Sequence, residues 1–346
     1  MLLRAAALLR PHASILAPPV TLASASRHLA SSTSSRASLI KALRERTSAP
    51  MKKCVEALES ANGDLEEAAT LLRKAGLAAA GKKAGRGASE GAAAVAHGLA
   101  GAAIVELNSE TDFVARNELF QKLASRIAQT ALGMETPAAA TVAPLDPVAI
   151  SQATLIGDDD AASVAAAIGF SVSQLGENLV LRRACLLTTP PEGGVVASYA
   201  HNTYAPGVGL VVGAVALKSS TTDTDALRAL GEKLSMHVVA ASPQYLDRDA
   251  VPEAALAKEK DVLTEQAAQS GKPANVIEKM VSGRINKYYG EVCLVEQQYV
   301  VDDSAGSVAK VLVAAGKDLG AEVTLAGFVR YQVGELGDGS QDGAQE

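Results

Sequence analysis

The residues of this chain that could do chemistry are few and widely spaced. Two histidines, His201 and His237, lie in segments with strand and helix patterns, and neither stands with a nucleophile and an acid in a recognisable catalytic pattern. No Gly-Lys pair is followed by Ser or Thr, so the chain lacks the nucleotide-binding loop GxxxxGK[ST]. Cys54, Cys185 and Cys293 form no CxxC pair, which argues against a zinc or disulfide framework. These patterns do not point to an enzyme.

The two histidines have different surroundings. His237 falls in the middle of a predicted helix between Met236 and Val238, which favours a core histidine with satisfied hydrogen bonds. His201 lies in a predicted strand and turn close to Tyr204, which is a more exposed place. A functional role and a structural role are equally compatible with the position of His201.

A more informative stretch is ELNSETDFVAR, residues 106–116, which begins like a buried strand and ends like the first turn of a helix. Thr111-Asp112 is a helix-capping pair, and two apolar residues, Phe113 and Val114, follow at once. The chain has only four phenylalanines and no tryptophan, so a large ring at an acidic corner needs a reason. On the pattern alone, Phe113 is either an ordinary core residue or a contact residue that is held outward.

Residues 1–36 have the composition of an organelle transit peptide. They contain four arginines and no acidic residue, and the first acid of the chain is Glu45. Arg10 and Pro11 interrupt the apolar stretch, which argues against the alternative of a secretory signal. Arginines spaced through an amphipathic segment favour the mitochondrial matrix over the plastid.

The charge balance bears on the class of partner. The formal net charge is −6, and removal of the four arginines within residues 1–36 would leave −10. An acidic protein lacks the basic surface that displaces counterions from phosphates, so a protein partner is favoured over nucleic acid. The sequence contains no run of eighteen or more apolar residues, and we therefore expect no membrane-spanning segment.

Residues 37–77 predict a compact module of three short helices. Ser38 can cap the first helix, and Asp64 with Glu67 forms a capping box for the third helix, which Gly76 would end. This pattern resembles the ubiquitin-associated fold. So small a bundle usually leaves an apolar face uncovered, which favours a binding role over the alternative of a plain helical bundle.

Residues 78–94 are rich in glycine and lack apolar periodicity, which predicts a flexible linker. After them, strand and helix patterns alternate, which predicts an α+β body with antiparallel sheets and helices packed on one side. The strand AAIVELN and the helical run after it are echoed by LVVGAVAL and its following helix. We therefore expect two related α+β subdomains, residues 95–195 and 196–334.

Three further segments complete the sequence-based prediction. Two helical runs in 252–289, joined by a turn at Ser270–Pro273, predict an antiparallel helical hairpin that projects from the second subdomain. A strand is predicted directly afterwards, at Val292–Val300. Residues 335–346 are acidic and glycine-rich without an apolar face, which predicts a disordered tail.

Five segments, taken together and in this order, resemble the elongation factor Ts family. They are SLIKALRERTSAPMKKCVEALESANGDLEEAATLLRKAG, ELNSETDFVAR, GENLVLRR, MHVVAASP and SGKPANVIEKMVSGR. The resemblance spans nearly everything after the predicted transit peptide. The resemblance and the transit peptide together indicate a mitochondrial member of the family. It implies a guanine nucleotide exchange factor that binds EF-Tu·GDP, displaces magnesium and GDP, and regenerates EF-Tu for GTP binding.

The resemblance also implies what the chain does and does not bind. The expected partner is mitochondrial EF-Tu, in its GDP-bound and nucleotide-free forms, in a 1:1 heterodimer. We expect the chain to have no cofactor, no metal site and no active site of its own. We also expect neither direct nucleic-acid binding nor membrane association. The helical hairpin would be the family's protruding coiled coil.

The resemblance further implies roles for single residues. Asp112 and Phe113 would press into EF-Tu beside its magnesium site, and Thr111 and Val114 would hold that corner. His201 would contact the phosphate-binding loop of EF-Tu. The N-terminal module would dock on the nucleotide-binding domain of EF-Tu through four residues: Leu43, Arg44, Thr47 and Met51.

Two alternatives remain when the resemblance is set aside. A helical module joined to an α+β body could be an adaptor or scaffold that binds a helical or ubiquitin-like partner. An enzyme with an unrecognised site is the other possibility. Accelerated release of GDP from EF-Tu in the presence of this protein would distinguish an exchange factor from both an adaptor and such an enzyme.

Overall fold

The computed structural model describes residues 36–47, 49–135, 140–157, 163–269 and 273–336. Residues 1–35 of the predicted transit peptide, 270–272 of the predicted turn and 337–346 of the predicted tail lie outside these ranges. The eleven α-helices of the described part are α1 Arg36–Thr47, α2 Met51–Ser60, α3 Leu65–Lys83, α4 Asp112–Ala115, α5 Glu118–Leu132, α6 Pro147–Gln152, α7 Val164–Leu175, α8 Thr224–Ala241, α9 Glu253–Ala268, α10 Ala274–Val292 and α11 Val308–Leu319. Its seven strands are β1 Glu90–Gly98, β2 Gly101–Ser109, β3 Val142–Leu145, β4 Leu179–Thr188, β5 Gly194–Ala205, β6 Val208–Ser219 and β7 Val323–Gln332. The predicted α+β class, with N-terminal helices and antiparallel sheets, is confirmed.

Helices α1 to α3 enclose a small core of their own. Leu43, Cys54 and Ala68 are fully buried in it, and Leu72 closes it from α3. The predicted cap at the start of α3 is confirmed, because the Asp64 carboxylate accepts a hydrogen bond of 2.9 Å from the backbone N–H of Glu67. Capping satisfies one of the backbone donors that an isolated helix start leaves open.

The predicted end of α3 at Gly76 and the predicted linker 78–94 are both wrong. Helix α3 continues to Lys83 and β1 begins at Glu90, so only residues 84–89 lie between the two elements. The alanines after Gly76 have the highest intrinsic helix propensity, which carries the helix onward. The alanines after Glu90 instead fill a buried strand, where a larger side chain would not fit.

Gly76 has a packing role rather than a terminating one. A Cβ atom at Gly76 would lie 3.0 Å from the Phe170 Cα and 3.1 Å from the Gly169 carbonyl oxygen, both on α7. In the other direction, a Cβ at Gly169 would lie 3.1 Å from the Leu77 side chain. Glycine at the crossing lets the two helix backbones approach closely, so the N-terminal module is packed on the α+β body.

The seven described strands pair in antiparallel fashion in the order β3-β4-β2-β1-β6-β5, and β7 also pairs with β6. Strand β1, whose residues 90–94 had been predicted to belong to the linker, pairs with β2 along its full length. It also pairs with β6 at Ala93 and Ala94. The strands thus form two groups, a first group of β1 to β4 and a second group of β5 to β7. The short pairing of β1 with β6 joins the two groups into a single hydrogen-bonded sheet.

The two groups of strands also pack face to face. Every residue of β2 is buried. Ala103 and Val105 contact the core under α5 and α7, whereas Ala102 and Ile104 contact a cluster that includes residues of β5, β6 and β7. Side chains alternate between the two faces of a strand, so one strand serves two cores. Helices α5 and α7 cover one outer face, and α8 and α11 contribute to the core on the other.

Helices α9 and α10 form the predicted helical pair. Its base carries a cluster of buried residues, including Val251, Val292 and Cys293. Most positions farther along both helices are exposed. Within the described residues, Arg284 of α10 donates a hydrogen bond of 3.1 Å to Gln266 of α9.

The predicted strand Val292–Val300 is wrong, because α10 runs to Val292 and the chain then turns. Buried Gln297 organises this turn by donating from its side-chain amide to the carbonyls of Ala241 and Glu291, at 3.2 and 2.7 Å. His237 Nε2 lies 3.0 Å from Gln297 Oε1, and the Val300 backbone N–H donates to His237 Nδ1 at 3.3 Å. The prediction of His237 as a satisfied core histidine is confirmed.

The crossing of α3 and α7 gives a first testable prediction. We expect Gly76→Leu to force the helices apart, lower the melting temperature and speed proteolytic cleavage at residues 84–89, since the new side chain meets α7 backbone. Gly81→Ala, also in α3, is the matched control, because no atom lies within 4 Å of the Cβ that this substitution adds. That control should stabilise the helix by up to about 1 kcal/mol. Equal behaviour of the two variants would contradict a close crossing.

His237 gives a second prediction, on the pH dependence of stability. Burial lowers the pKa of His237 below its usual 6.5, although its hydrogen bond to Gln297 opposes the shift. The unfolded chain therefore takes up a proton near pH 6.5 while the folded chain does not, so the free energy of unfolding falls as the pH drops below that value.

Urea unfolding at a series of pH values from 8 to 5 measures this effect. In His237→Gln, compared in a His97→Gln background because burial also lowers the pKa of His97, the component of the pH dependence that begins near 6.5 should disappear. His201→Gln serves as the control, because the His201 side chain is exposed. A pH dependence that survives in His237→Gln would assign it to other groups.

Candidate partner-binding site

The corner after β2 is held by hydrogen bonds from outside its own helix. Thr111 has an extended backbone, with φ −132° and ψ 157°, and precedes the single turn of α4. Its side chain does not cap α4, so the predicted capping role is wrong. Instead, Thr111 Oγ1 donates to Glu177 Oε1 at 2.6 Å and the Thr111 N–H donates to Glu177 Oε2 at 2.9 Å.

Helix α4 exposes one of its apolar residues and buries the next one. Phe113 is 79% exposed, whereas Val114 is 8% exposed and joins the core with Phe120. The outward position of Phe113 was one of the two possibilities left by the sequence. Asp112 beside it is half-exposed, and its carboxylate lies 3.4 Å from Arg116 Nε. The corner thus presents a ring and a carboxylate to solvent on a base that is anchored in the core.

A second carboxylate completes a reciprocal contact between the corner and the loop after α7. Glu110 Oε1 accepts a hydrogen bond of 2.6 Å from the Asn178 backbone N–H, while Glu177 binds Thr111 in the other direction. Gly176 makes the preceding turn possible with φ +84°, in the left-handed region that favours glycine. Neither carboxylate was predicted to contribute to the site, although Glu110 lies in ELNSETDFVAR and Glu177 lies in GENLVLRR.

His201 lies on β5, near the hairpin that joins β5 to β6. The side chain is exposed, and its Nδ1 lies 3.3 Å from the Tyr199 hydroxyl. Farther along β5, the ring of Tyr204 lies beneath the Arg116 guanidinium, with 5.5 Å between the guanidinium carbon and the ring centroid.

The electrostatics of Tyr204 reflect its closeness to the corner. Partial burial raises the pKa of Tyr204, the charge of Arg116 opposes this rise, and the charges of Asp112 and Glu90 add to it. The hairpin therefore reaches the corner through Tyr204, which brings the strand of His201 next to Asp112. Sequence reasoning noted Tyr204 only as a neighbour of His201.

The four residues expected to dock the N-terminal module separate into two pairs. Leu43 is fully buried, so its expected role as a contact residue is wrong and it belongs to the core of the module. Thr47 is half-buried, and its carbonyl accepts a hydrogen bond of 2.6 Å from Gln174 of α7. Arg44 and Met51 are exposed, with Met51 at 58%. Only this second pair is displayed for direct contact.

A groove of about 610 Å³ separates the module from the body. Its lining combines apolar side chains from α5, α7 and the β5–β6 turn with basic side chains at the rim: Leu119, Phe170, Pro206, Arg46, Arg73 and Lys122. Leu119 follows the corner on α5, so the groove lies between the module and the elements that carry Phe113.

In the residue ranges given above, no helix combines the length and hydropathy needed to cross a membrane. Among the same residues, no group of three or more His, Cys, Asp or Glu side chains is arranged to hold a metal ion.

Comparison with known proteins identifies the family. The sequence model of the family described as Elongation factor TS matches residues 110–335, which begin at the corner and end after β7. Elongation factor Ts of Paramagnetospirillum magneticum is 48% identical over 299 residues, which cover 86% of this chain and 91% of the relative.

Plant relatives are similar over a comparable length. Elongation factor Ts, mitochondrial, of Zea mays is 41% identical over 310 residues, covering 88% of this chain and 81% of the relative. The mitochondrial protein of Oryza sativa subsp. japonica is 42% identical over 311 residues, covering 87% and 83%. The chain belongs to the elongation factor Ts family, the non-catalytic nucleotide exchange factors of EF-Tu in translation elongation.

Proposed function

We propose that this chain performs exchange on mitochondrial EF-Tu by inserting the corner that carries Asp112 and Phe113. The observation that carries the proposal is the exposure of Phe113, at 79%, on a turn anchored by the buried Val114. An exposed ring on a rigid base supplies a large apolar contact at little conformational cost. Thr111 and Val114 hold the base, and the half-exposed Asp112 brings a negative charge beside the ring.

The mechanism follows from linkage between two ligands of EF-Tu. GDP is held because backbone amides, a lysine and magnesium together neutralise its phosphates. An exchange factor accelerates release when it binds the nucleotide-free protein better than the nucleotide-bound one. A buried aromatic anchor contributes about 2–4 kcal/mol. Since about 1.4 kcal/mol corresponds to tenfold in affinity, Phe113 would account for tens- to hundreds-fold.

The N-terminal module would supply a second contact at a fixed distance from the first. Arg44 and Met51 are its exposed docking residues, while Leu43 and Thr47 shape the surface from within. The close crossing at Gly76 holds the module against α7. Two contacts on one rigid body bind a single partner cooperatively, since the second forms without further loss of translational freedom. This favours a 1:1 heterodimer with EF-Tu.

Two further elements complete the proposed binding surface. His201 would approach the phosphate-binding loop of EF-Tu, and its exposure on the strand whose Tyr204 contacts Arg116 supports this role. The pair α9–α10 would be the protruding coiled coil, because a cluster with Val251, Val292 and Cys293 anchors its base while most positions farther along both helices are exposed. We further infer two related subdomains, each with a strand followed by a packed helix, β2 with α5 and β6 with α8.

A mitochondrial address is the last part of the proposal. It rests on residues 1–36, which carry arginine without acid, and on the similarity to plant mitochondrial relatives. The bacterial relative is the more similar at 48%, so overall identity does not separate an organellar member from a bacterial one. The composition of the N-terminal segment therefore carries this part.

The role of Phe113 gives a third prediction. Release of a fluorescent GDP from EF-Tu, followed by stopped-flow with and without this protein, should slow by tens- to hundreds-fold in Phe113→Ala, because the ring is the anchor. The melting temperature should change little, since the side chain is 79% exposed in the free protein.

Two controls make the measurement decisive. Leu99→Ala removes another fully exposed apolar side chain, at the β1–β2 turn, and should leave exchange unchanged. Phe120→Ala removes a fully buried ring and should cost about 3–5 kcal/mol of stability. Unaltered exchange in Phe113→Ala would refute the proposal, and binding without acceleration in the native protein would favour an adaptor.

The N-terminal segment gives a fourth prediction. Residues 1–36 fused to a fluorescent protein should direct it to mitochondria in plant cells, where plastids offer the competing destination. A fusion with all four arginines changed to glutamine should remain in the cytosol, since the positive charge of the segment is lost. Accumulation of the native fusion in plastids would contradict the mitochondrial address.

A further inference from the structure

We propose that Glu177 is a positioning residue for nucleotide exchange, because its carboxylate binds Thr111 and thereby sets the direction in which Phe113 points. This inference rests on the proposed function of the corner. Within the described residues, both hydrogen bonds of the Glu177 carboxylate go to Thr111, the residue that precedes α4.

The contact between Glu177 and Thr111 uses both oxygens of the carboxylate. Oε1 accepts from the hydroxyl at 2.6 Å and Oε2 accepts from the backbone N–H at 2.9 Å. Hydrogen bonds to an ionised group are shorter and about twice as strong as neutral ones. Two bonds from one residue to one carboxylate fix the backbone and the side chain of Thr111 together.

The direction of Phe113 depends on Thr111 because α4 is too short to hold itself. A single turn is unstable without tertiary contacts, since the cost of fixing the first turn is not repaid by further hydrogen bonds. Helix α4 has four residues, of which Val114 and Ala115 are buried. The core therefore holds its end, and Glu177 holds its beginning at Thr111.

The reciprocal bond strengthens this arrangement. Glu110 accepts the Asn178 N–H at 2.6 Å, and its side chain is only 23% exposed. Each glutamate therefore accepts a hydrogen bond from the residue that follows the other glutamate in the chain, and these bonds link the corner to the loop after α7. A hydrogen bond of 2.8 Å from the Ser109 hydroxyl to the Thr111 carbonyl ties the corner to the end of β2 as well.

The loop that carries Glu177 also touches the N-terminal module. The Lys83 ammonium at the end of α3 donates to the Gly176 carbonyl, and Asn178 donates from its side chain to the Arg86 carbonyl at 2.8 Å. Lys53 of α2 donates to the Ser173 carbonyl at 2.8 Å. The end of α7 and the residues after it therefore connect the module with the Phe113 corner.

Glu177→Gln tests the proposal with little change in shape. The amide oxygen of glutamine can accept from the Thr111 N–H while its NH₂ group donates to the Thr111 hydroxyl, so the variant removes the charge assistance of both bonds and keeps their geometry. We expect stimulated GDP release to slow by about tenfold, the effect of weakening two charge-assisted bonds. Glu192→Gln is the control, because Glu192 is an exposed acid in the turn between β4 and β5.

A double-mutant cycle separates positioning from a general structural role. In the Phe113→Ala background, Glu177→Gln should slow GDP release no further, since the residue acts through the ring. Thr111→Val, which removes the hydroxyl and keeps the shape, should reproduce part of the loss. An equal loss from Glu177→Gln with and without Phe113 would overturn the proposal.

Hydrogen exchange at the Thr111 amide gives a readout that is independent of EF-Tu. Its protection should fall in Glu177→Gln and persist in Phe113→Ala, because the bond to Glu177 does not involve the ring. If Phe113→Ala leaves GDP release unaltered, the proposed function of the corner fails, whatever the amide shows. Undiminished protection of Thr111 in Glu177→Gln overturns the positioning role in either case.

Discussion

The burial of β2 on both faces is the constraint on which the site depends. One face of the strand packs under α5 and α7, and the other packs on the strands of the second group. A shift of one residue would exchange the two faces, so the register of β2 is strongly specified. Its last residue, Ser109, is fully buried and binds the Thr111 carbonyl. The direction in which the chain leaves the sheet is therefore set by two cores, and Phe113 lies only four residues beyond.

Small side chains make this arrangement possible, which gives the alanine-rich composition a structural meaning. Ala102 and Ala214 lie in the cluster between the two groups of strands, where larger residues would separate the layers. The same principle operates at Gly76 and Gly169, where α3 crosses α7. Both interfaces rely on close approach of backbones and leave few large rings in the interior. The few aromatic residues can then occupy places such as the corner, where a ring faces solvent.

The sequence predicted the elements whose patterns are local and failed where a tertiary contact decides. The cap at Asp64 and the buried place of His237 could be predicted, because both follow from neighbouring residue types. The packing role of Gly76 could not be predicted. A glycine that ends a helix and a glycine at a helix crossing have the same local sequence signature, and only the position of α7 distinguishes them. Glu177 lies within GENLVLRR, but its partner Thr111 is 66 residues away in the sequence, and no local pattern indicates such a pairing.

Rigidity at the corner bears directly on how binding free energy would be used. Association loses free energy when mobile side chains or loops must be ordered at the interface. Here the backbone beneath Phe113 is already held by Glu177 on one side and by Val114 on the other. The contact energy of the ring is then available to favour one state of the partner over another, which is what exchange requires. A corner of the same composition on a loose loop would bind with its ring but would lose part of that energy to ordering its own backbone.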